Sequence, residues 1–170
     1  SVVQRCPAVP IAEKAMARPD CGLVIVGDGP QKQALQEKIE SLGLKARVWM
    51  VGNHANVVPW LQALDIFALP SYANEGVPQA LLQAMLCELP CVTTSIGAIG
   101  EAAIDGETAL VVRPEDVTEL ARALDILATD WNLRQRLGHA ARAACEQKFG
   151  YEQMLDRMEA IFAAAMAGRH

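Results

Sequence analysis

The residues best placed to do chemistry stand in one run, Pro70-Ser71-Tyr72-Ala73-Asn74-Glu75-Gly76-Val77-Pro78, which leads directly into Gln79-Ala80-Leu81-Leu82-Gln83-Ala84-Met85. One carboxylate, Glu75, lies between an apolar run ending at Leu69 and a segment of helical period. A helix start presents free backbone N–H groups and the positive end of a dipole, and both suit an anion. In open α/β sheets, ligands collect just beyond the carboxyl ends of the strands. Glu75 stands at that junction. Gln79 and Gln83 follow it at steps of four and share a helix face. Ala80, Leu81, Ala84 and Met85 form the apolar side, so the polar stripe is expected to line a cleft.

Two further loops have the same character. Gly27-Asp28-Gly29 follows the apolar run Leu23-Val24-Ile25-Val26 and precedes a helical segment. The dinucleotide fingerprint requires a third glycine at position 32, where Lys32 stands, so nicotinamide binding is not expected. A glycine pair still lets backbone approach a phosphate closely. It equally suits a plain tight turn with Pro30 at the first helical position. Ser95 to Glu101 is a second such loop, open both to phosphate or sugar-hydroxyl binding and to a simple turn with Glu101 favouring the helix dipole. His54, His139 and His170 share no metal-ligand spacing and read as surface or loop residues. No G-x-S-x-G elbow or P-loop occurs. Trp49, Trp60 and Trp131 read as packing residues.

The elements that must position these loops alternate. Strands are expected at 23–26, 47–51, 66–69, 91–94 and 109–112, with Val2-Val3 as a truncated first strand. Leu23–Val26 reads as fully buried. Helices are expected at 31–42, closed by Gly43, at 56–64, from the Glu75 loop to Leu86, and as one or two turns over 99–104. Three helices then follow without strands, at 117–128, 131–149 and 151–167, with Asp116 and Asp130 as N-caps of the first two. Parallel strands need crossover helices, so the pattern implies a doubly wound parallel α/β sheet of about six strands with a helical C-terminal segment. The 170 residues fit a single domain spanning the chain.

Composition narrows the classes. The chain is 52% hydrophobic and 21% charged, with a net charge of −5. No basic stripe suits nucleic acid, and no apolar run approaches the roughly 18 residues of a membrane span. Cys6, Cys21, Cys87, Cys91 and Cys145 form no C-x-x-C pair, which fits reduced thiols, mostly buried.

Several segments resemble the group 1 (family 4) glycosyltransferases in order and spacing: Leu23 to Pro30, Val51-Gly52, Asp65 to Ser71, Glu75 to Pro78, Ala84-Met85, Leu89 to Val92 and Asp105-Gly106. The likeness runs from about residue 9 to 165. It is to the C-terminal, nucleotide-sugar-binding half of a two-domain GT-B enzyme, with a Rossmann-like fold. The resemblance implies a hexosyltransferase-type enzyme that moves a sugar from a nucleotide-diphosphate donor to a glycan, lipid or other acceptor, retaining anomeric configuration and using no metal or cofactor. It implies polysaccharide building in the cytoplasm, with peripheral association of the full-length enzyme at the inner face of the membrane. The N-terminal acceptor domain is expected to lie upstream, and the isolated domain is expected to transfer nothing. On this resemblance Glu75 is the catalytic residue and contacts donor-sugar hydroxyls. Gly76, Val77 and Pro78 face the sugar and diphosphate, Gln83 holds the ribose, and Val51, Gly52 and Asn53 border the base. Gly27, Gly29 and Gly97 let backbone pass close to the donor, and Arg5 is the one basic residue where phosphate-gripping side chains are usual. Gly97-Ala98 stands where the family has a glycine pair, and two further departures stand out: Gln83 replaces a second glutamate, and Pro7 or Ala8 occupies the usual lysine position. They leave open a non-catalytic nucleotide-sugar-binding module. A nucleotide-sugar epimerase of the same fold is the other alternative, and the E-G-x-P run at Glu75 favours the transferase.

Overall fold

The computed structural model describes residues 18, 20–73 and 76–167. Val2-Val3, Arg5, Cys6 and Glu75 lie outside the described residues. Among the described residues five strands are formed: β1 (Leu23–Val26), β2 (Val48–Gly52), β3 (Phe67–Leu69), β4 (Cys91–Thr94) and β5 (Leu110–Val112). Six helices accompany them: α1 (Lys32–Ser41), α2 (Val58–Gln62), α3 (Gln79–Leu86), α4 (Val117–Thr129), α5 (Trp131–Phe149) and α6 (Tyr151–Ala167). Every strand pair is parallel, as the alternating pattern requires. The pairs fall into two groups, β1 beside β2 and the order β3-β4-β5.

The three-stranded group is the packed half. Cys91 packs into a cluster with Leu81, Ala84 and Met85 of α3 and Ala141 and Cys145 of α5. Its neighbour Val92 packs into another, with Val112, Leu120, Ala123, Leu127 and Leu137. Successive side chains of a strand point to opposite faces, so β4 is covered on both sides and all four of its residues are buried. Its two hydroxyls are satisfied within the sheet, Thr93 Oγ1 donating to the Leu69 carbonyl at 2.8 Å and Thr94 Oγ1 to the Ser71 carbonyl at 2.7 Å.

Helix boundaries follow local chemistry. The Asp116 carboxylate accepts the Glu119 N–H at 2.9 Å, and that of Asp130 accepts the Leu133 N–H at 2.8 Å, so both act as the expected N-caps. Gly43 follows α1 with φ +67° and donates its N–H to the Glu40 carbonyl at 3.0 Å.

Three expectations are corrected. The helical turns expected over 99–104 shrink to a 3-10 turn, Ile99–Glu101. Thr108 Oγ1 accepts the Ile104 N–H at 2.9 Å and donates to the Ala102 carbonyl at 3.0 Å, diverting the backbone from a helix. Trp49 and Trp131 are 49% and 61% exposed, leaving Trp60 as the half-buried member of the three. The apolar strand β1 is not fully buried: Leu23, Val24 and Ile25 are half-buried and Val26 is 36% exposed. Among the described residues β1 pairs with β2 alone, and its other edge faces a cleft.

Candidate functional site

The carboxyl ends of the strands carry the predicted loops. At the end of β3, the Ser71 N–H donates to the Leu69 carbonyl at 3.0 Å, and the Ser71 carbonyl receives the Thr94 hydroxyl. This hydroxyl fastens the loop after β3 to β4. The chain then enters α3 through Pro78, whose carbonyl accepts the N–H groups of Leu81 and Leu82 at 3.0 and 3.2 Å. No described side chain caps the start of this helix. Gly76 is exposed at this entry, and Val77 anchors it by packing against the α3 cluster.

The loops after β1 and β2 are joined. Gly27 donates its N–H to the Gly52 carbonyl at 2.8 Å. Gly27 has φ +128°, a conformation that only glycine adopts without strain, and a Cβ there would meet nothing within 4 Å. The empty space beside this backbone is what a ligand would need. Asp28 accepts the Gly29 N–H at 3.2 Å and pairs with Lys32 at 3.0 Å. The Lys32 hydrogen bond holds the Asp28 carboxyl below its ordinary pKa. In the next loop, His54 Nε2 lies 3.0 Å from the Val51 carbonyl, and its ring packs at 4.9 Å from that of Trp60. Asn53 is exposed beside it.

These loops open on a cleft of about 1030 Å³. One wall is residues 21–32, the opposite wall residues 66–73, and Ala80 and Gln83 of α3 border it. Gly27, Gly29 and Gln83 are thus brought together, and Gly52 adjoins them through its bond to Gly27. Gly97, φ +60°, lies in the loop after β4 and is not part of the cleft wall. The polar stripe on α3 is displaced from the expectation. Gln83 is half-buried on the cleft, whereas Gln79 is exposed away from it and Ala80 takes the place beside Gln83.

Sequence reasoning missed three contributors. Tyr72 lies on the cleft wall with a buried hydroxyl that has no hydrogen-bond partner among the described residues. Thr94 fixes the loop after β3, and Lys32 pairs with Asp28. The i,i+4 spacing of Asp28 and Lys32 is a readable signal. The other two depend on contacts between distant strands.

Residues 8–144 match the family described as Glycosyl transferases group 1. This chain belongs to that family. It is 30% identical over 149 residues to N-acetyl-alpha-D-glucosaminyl L-malate synthase of Bacillus anthracis, covering 88% of this chain and 39% of that protein. It is 31% identical over 159 residues to the lipopolysaccharide core biosynthesis mannosyltransferase LpsB of Rhizobium meliloti, covering 88% of this chain and 44% of that one. The chain therefore spans about two fifths of the length of these relatives. Among solved structures, Anabaena Alr3699/HepE in complex with UDP and glucose superposes with a TM-score of 0.86 at 24% identity, covering 96% of this chain and 46% of that one. The C-terminal domain of the group 1 glycosyl transferase LpcC from Francisella tularensis superposes with a TM-score of 0.75 at 27% identity, covering 85% of this chain and 80% of that domain. The doubly wound parallel α/β architecture is common to this group 1 chain and these neighbours.

Proposed function

We propose that this chain is the donor-binding domain of a retaining glycosyltransferase whose acceptor domain precedes it in the full-length protein. The supporting observation is the convergence of Gly27, Gly29, Gln83 and the loop after β3 on one cleft at the carboxyl edge of a group 1 chain. The donor is a nucleotide-diphosphate sugar. UDP and UDP-glucose occupy the HepE structures, which makes UDP the first nucleotide to test.

In this reading Gly27 and Gly29 admit the nucleotide close to backbone. Val51, Gly52 and Asn53 border the base, Gly97 borders the donor from the next loop, and Gln83 bonds the ribose. Gln83 is neutral, so that bond lacks the charge assistance a glutamate would supply. Glu75 contacts sugar hydroxyls, and Arg5 meets phosphate. The uncapped start of α3, reached through Gly76, Val77 and Pro78, faces the diphosphate. As the sugar–phosphate bond breaks, negative charge grows on the departing diphosphate, and the helix start stabilises it without a metal ion. A transferase of this design works in the cytoplasm, with its acceptor partner at the inner face of the membrane. Gln83 favours one second reading, a module that binds nucleotide sugars without transferring them.

Calorimetry of the chain with UDP, GDP and ADP tests binding. Weak binding of one of them is expected, and no heat from any at millimolar concentration contradicts a donor site. In the full-length enzyme, Glu75→Ala is expected to lower turnover by roughly 100- to 1000-fold. Near-normal turnover would remove Glu75 from the mechanism, and a parent enzyme with no turnover would favour the non-catalytic module.

A further inference from the structure

We propose that Lys32 binds the diphosphate of the donor at the mouth of the cleft, and that Asp28 is the counter-ion the diphosphate displaces from it. This role rests on the donor reading above. A glycine-rich loop usually holds a phosphate with its N–H groups. In the loop after β1 the N–H groups of both glycines are already used. That of Gly27 donates to the Gly52 carbonyl at 2.8 Å, and that of Gly29 to Asp28 Oδ1 at 3.2 Å. Pro30, which follows, has no N–H. The two glycines therefore give an anion room without giving it a donor, and a side chain must supply the charge.

Among the described residues that line the cleft, the basic ones are Arg18, Lys32 and Arg122. Arg18 and Arg122 belong to the far end. Arg18 pairs with Asp125 of α4 at 3.0 Å, and its carbonyl takes the Arg47 guanidinium at 2.6 Å. The Arg47 carbonyl in turn accepts the Leu23 N–H at the start of β1. Arg122 lies on α4 one turn before Asp125. A strand advances about 3.3 Å per residue, so the start of β1 lies roughly 13 Å from Gly27. Lys32 is the basic residue at the mouth, where its N–H donates to the Gly29 carbonyl at 3.1 Å as α1 begins.

Asp28 sets Lys32 in place. One carboxylate oxygen takes the Gly29 N–H and the other takes Lys32 Nζ at 3.0 Å, so loop and ammonium are tied to one side chain. An ammonium has three donors, and Asp28 uses one of them. The Lys32 and Asp28 side chains are 43% and 47% exposed, and an ion pair so open to water is weak. A diphosphate carries more negative charge than the single carboxylate it competes with. A neutral ligand gains nothing from this cation, so the pair selects for phosphate.

Titrating the isotopically labelled chain with UDP and with uridine, which carries no phosphate, tests this. Lys32→Gln is expected to weaken UDP binding about tenfold and to leave uridine binding and the melting temperature unchanged. Lys32→Arg should restore UDP binding, because the charge returns. Asp28→Asn should tighten UDP binding about threefold, because the competing anion is gone. UDP binding unchanged in Lys32→Gln, equal losses for UDP and uridine, no rescue by Lys32→Arg, or weaker UDP binding in Asp28→Asn would each overturn the role of Lys32 while leaving the donor cleft standing. An unmutated chain that binds none of UDP, GDP and ADP overturns the donor reading and this role with it. If GDP or ADP binds in place of UDP, that nucleotide and its nucleoside serve as the pair of probes.

Discussion

The β1–β2 half and the β3–β4–β5 half use similar residues to different effect. Leu23-Val24-Ile25-Val26 is more apolar than Cys91-Val92-Thr93-Thr94, yet the first run is half-exposed and the second fully buried. The difference lies in neighbours. Among the described residues, β4 has a strand on each edge and a cluster on each face, whereas β1 has one strand and a cleft. Burial here depends on position in the sheet, with hydrophobicity alone insufficient. The candidate ligand loops run along the carboxyl edge of both halves, so the open one adjoins the space a donor would use.

Paired substitutions can break or sharpen this contrast. Leu81 is fully buried against β4, and Leu81→Ala should cost about 3 kcal/mol, whereas Val26→Ala in the open half should cost about 0.5 kcal/mol. Urea unfolding of both variants checks this, and equal losses would erase the distinction. Glycines give a second pair. A Cβ on Gly138 of α5 would collide with the Glu88 carbonyl, and Glu88 itself sits at φ +59°, held by Arg142 and His139 at 3.2 Å each. Gly138→Ala should cost about 2 kcal/mol, while Gly29→Ala, which meets nothing within 4 Å, should leave the melting temperature nearly unchanged.

The cysteines add a pH-dependent test. Burial, with a smaller contribution from Cys145, pushes the Cys91 thiol from 9.0 up to about 12. The unfolded chain ionises this thiol above pH 9.0 and the folded chain does not, so stability is unaffected below that pH and falls between 9.0 and about 12. Cys91→Val should flatten that fall, and at pH 8 iodoacetamide should label half-buried Cys21 well before Cys91. An unchanged alkaline profile would place Cys91 in a wetter site. Gln83 borders the cleft from α3. Gln83→Glu should tighten nucleotide binding about fivefold by adding charge to one hydrogen bond. An unchanged dissociation constant would separate Gln83 from the ribose.

Much of this was legible in the residues. Each expected strand from 23 onward forms within one residue of its expected bounds, because short apolar runs between glycine and proline turns are strong local signals. The caps at Asp116 and Asp130 were equally local. The exposure of β1 was not legible, because edge pairing is decided by chain far away in sequence. Nor was the Thr94–Ser71 bond, which spans two strands and fixes the loop beside the candidate site. Gln83 borders the cleft, whereas Gln79, on the same helix face, does not. Helical period gives a face, and the cleft meets that face at one edge only.

The central claim is that the carboxyl-edge cleft holds a nucleoside diphosphate. Titrating UDP into the isotopically labelled chain and following its amide signals tests this directly. The expected result is a saturable set of shifts at Gly27, Gly29, Gly52 and the start of α3, with α5 and β5 unmoved. No shifts at millimolar UDP, or shifts confined to residues away from that edge, would contradict it.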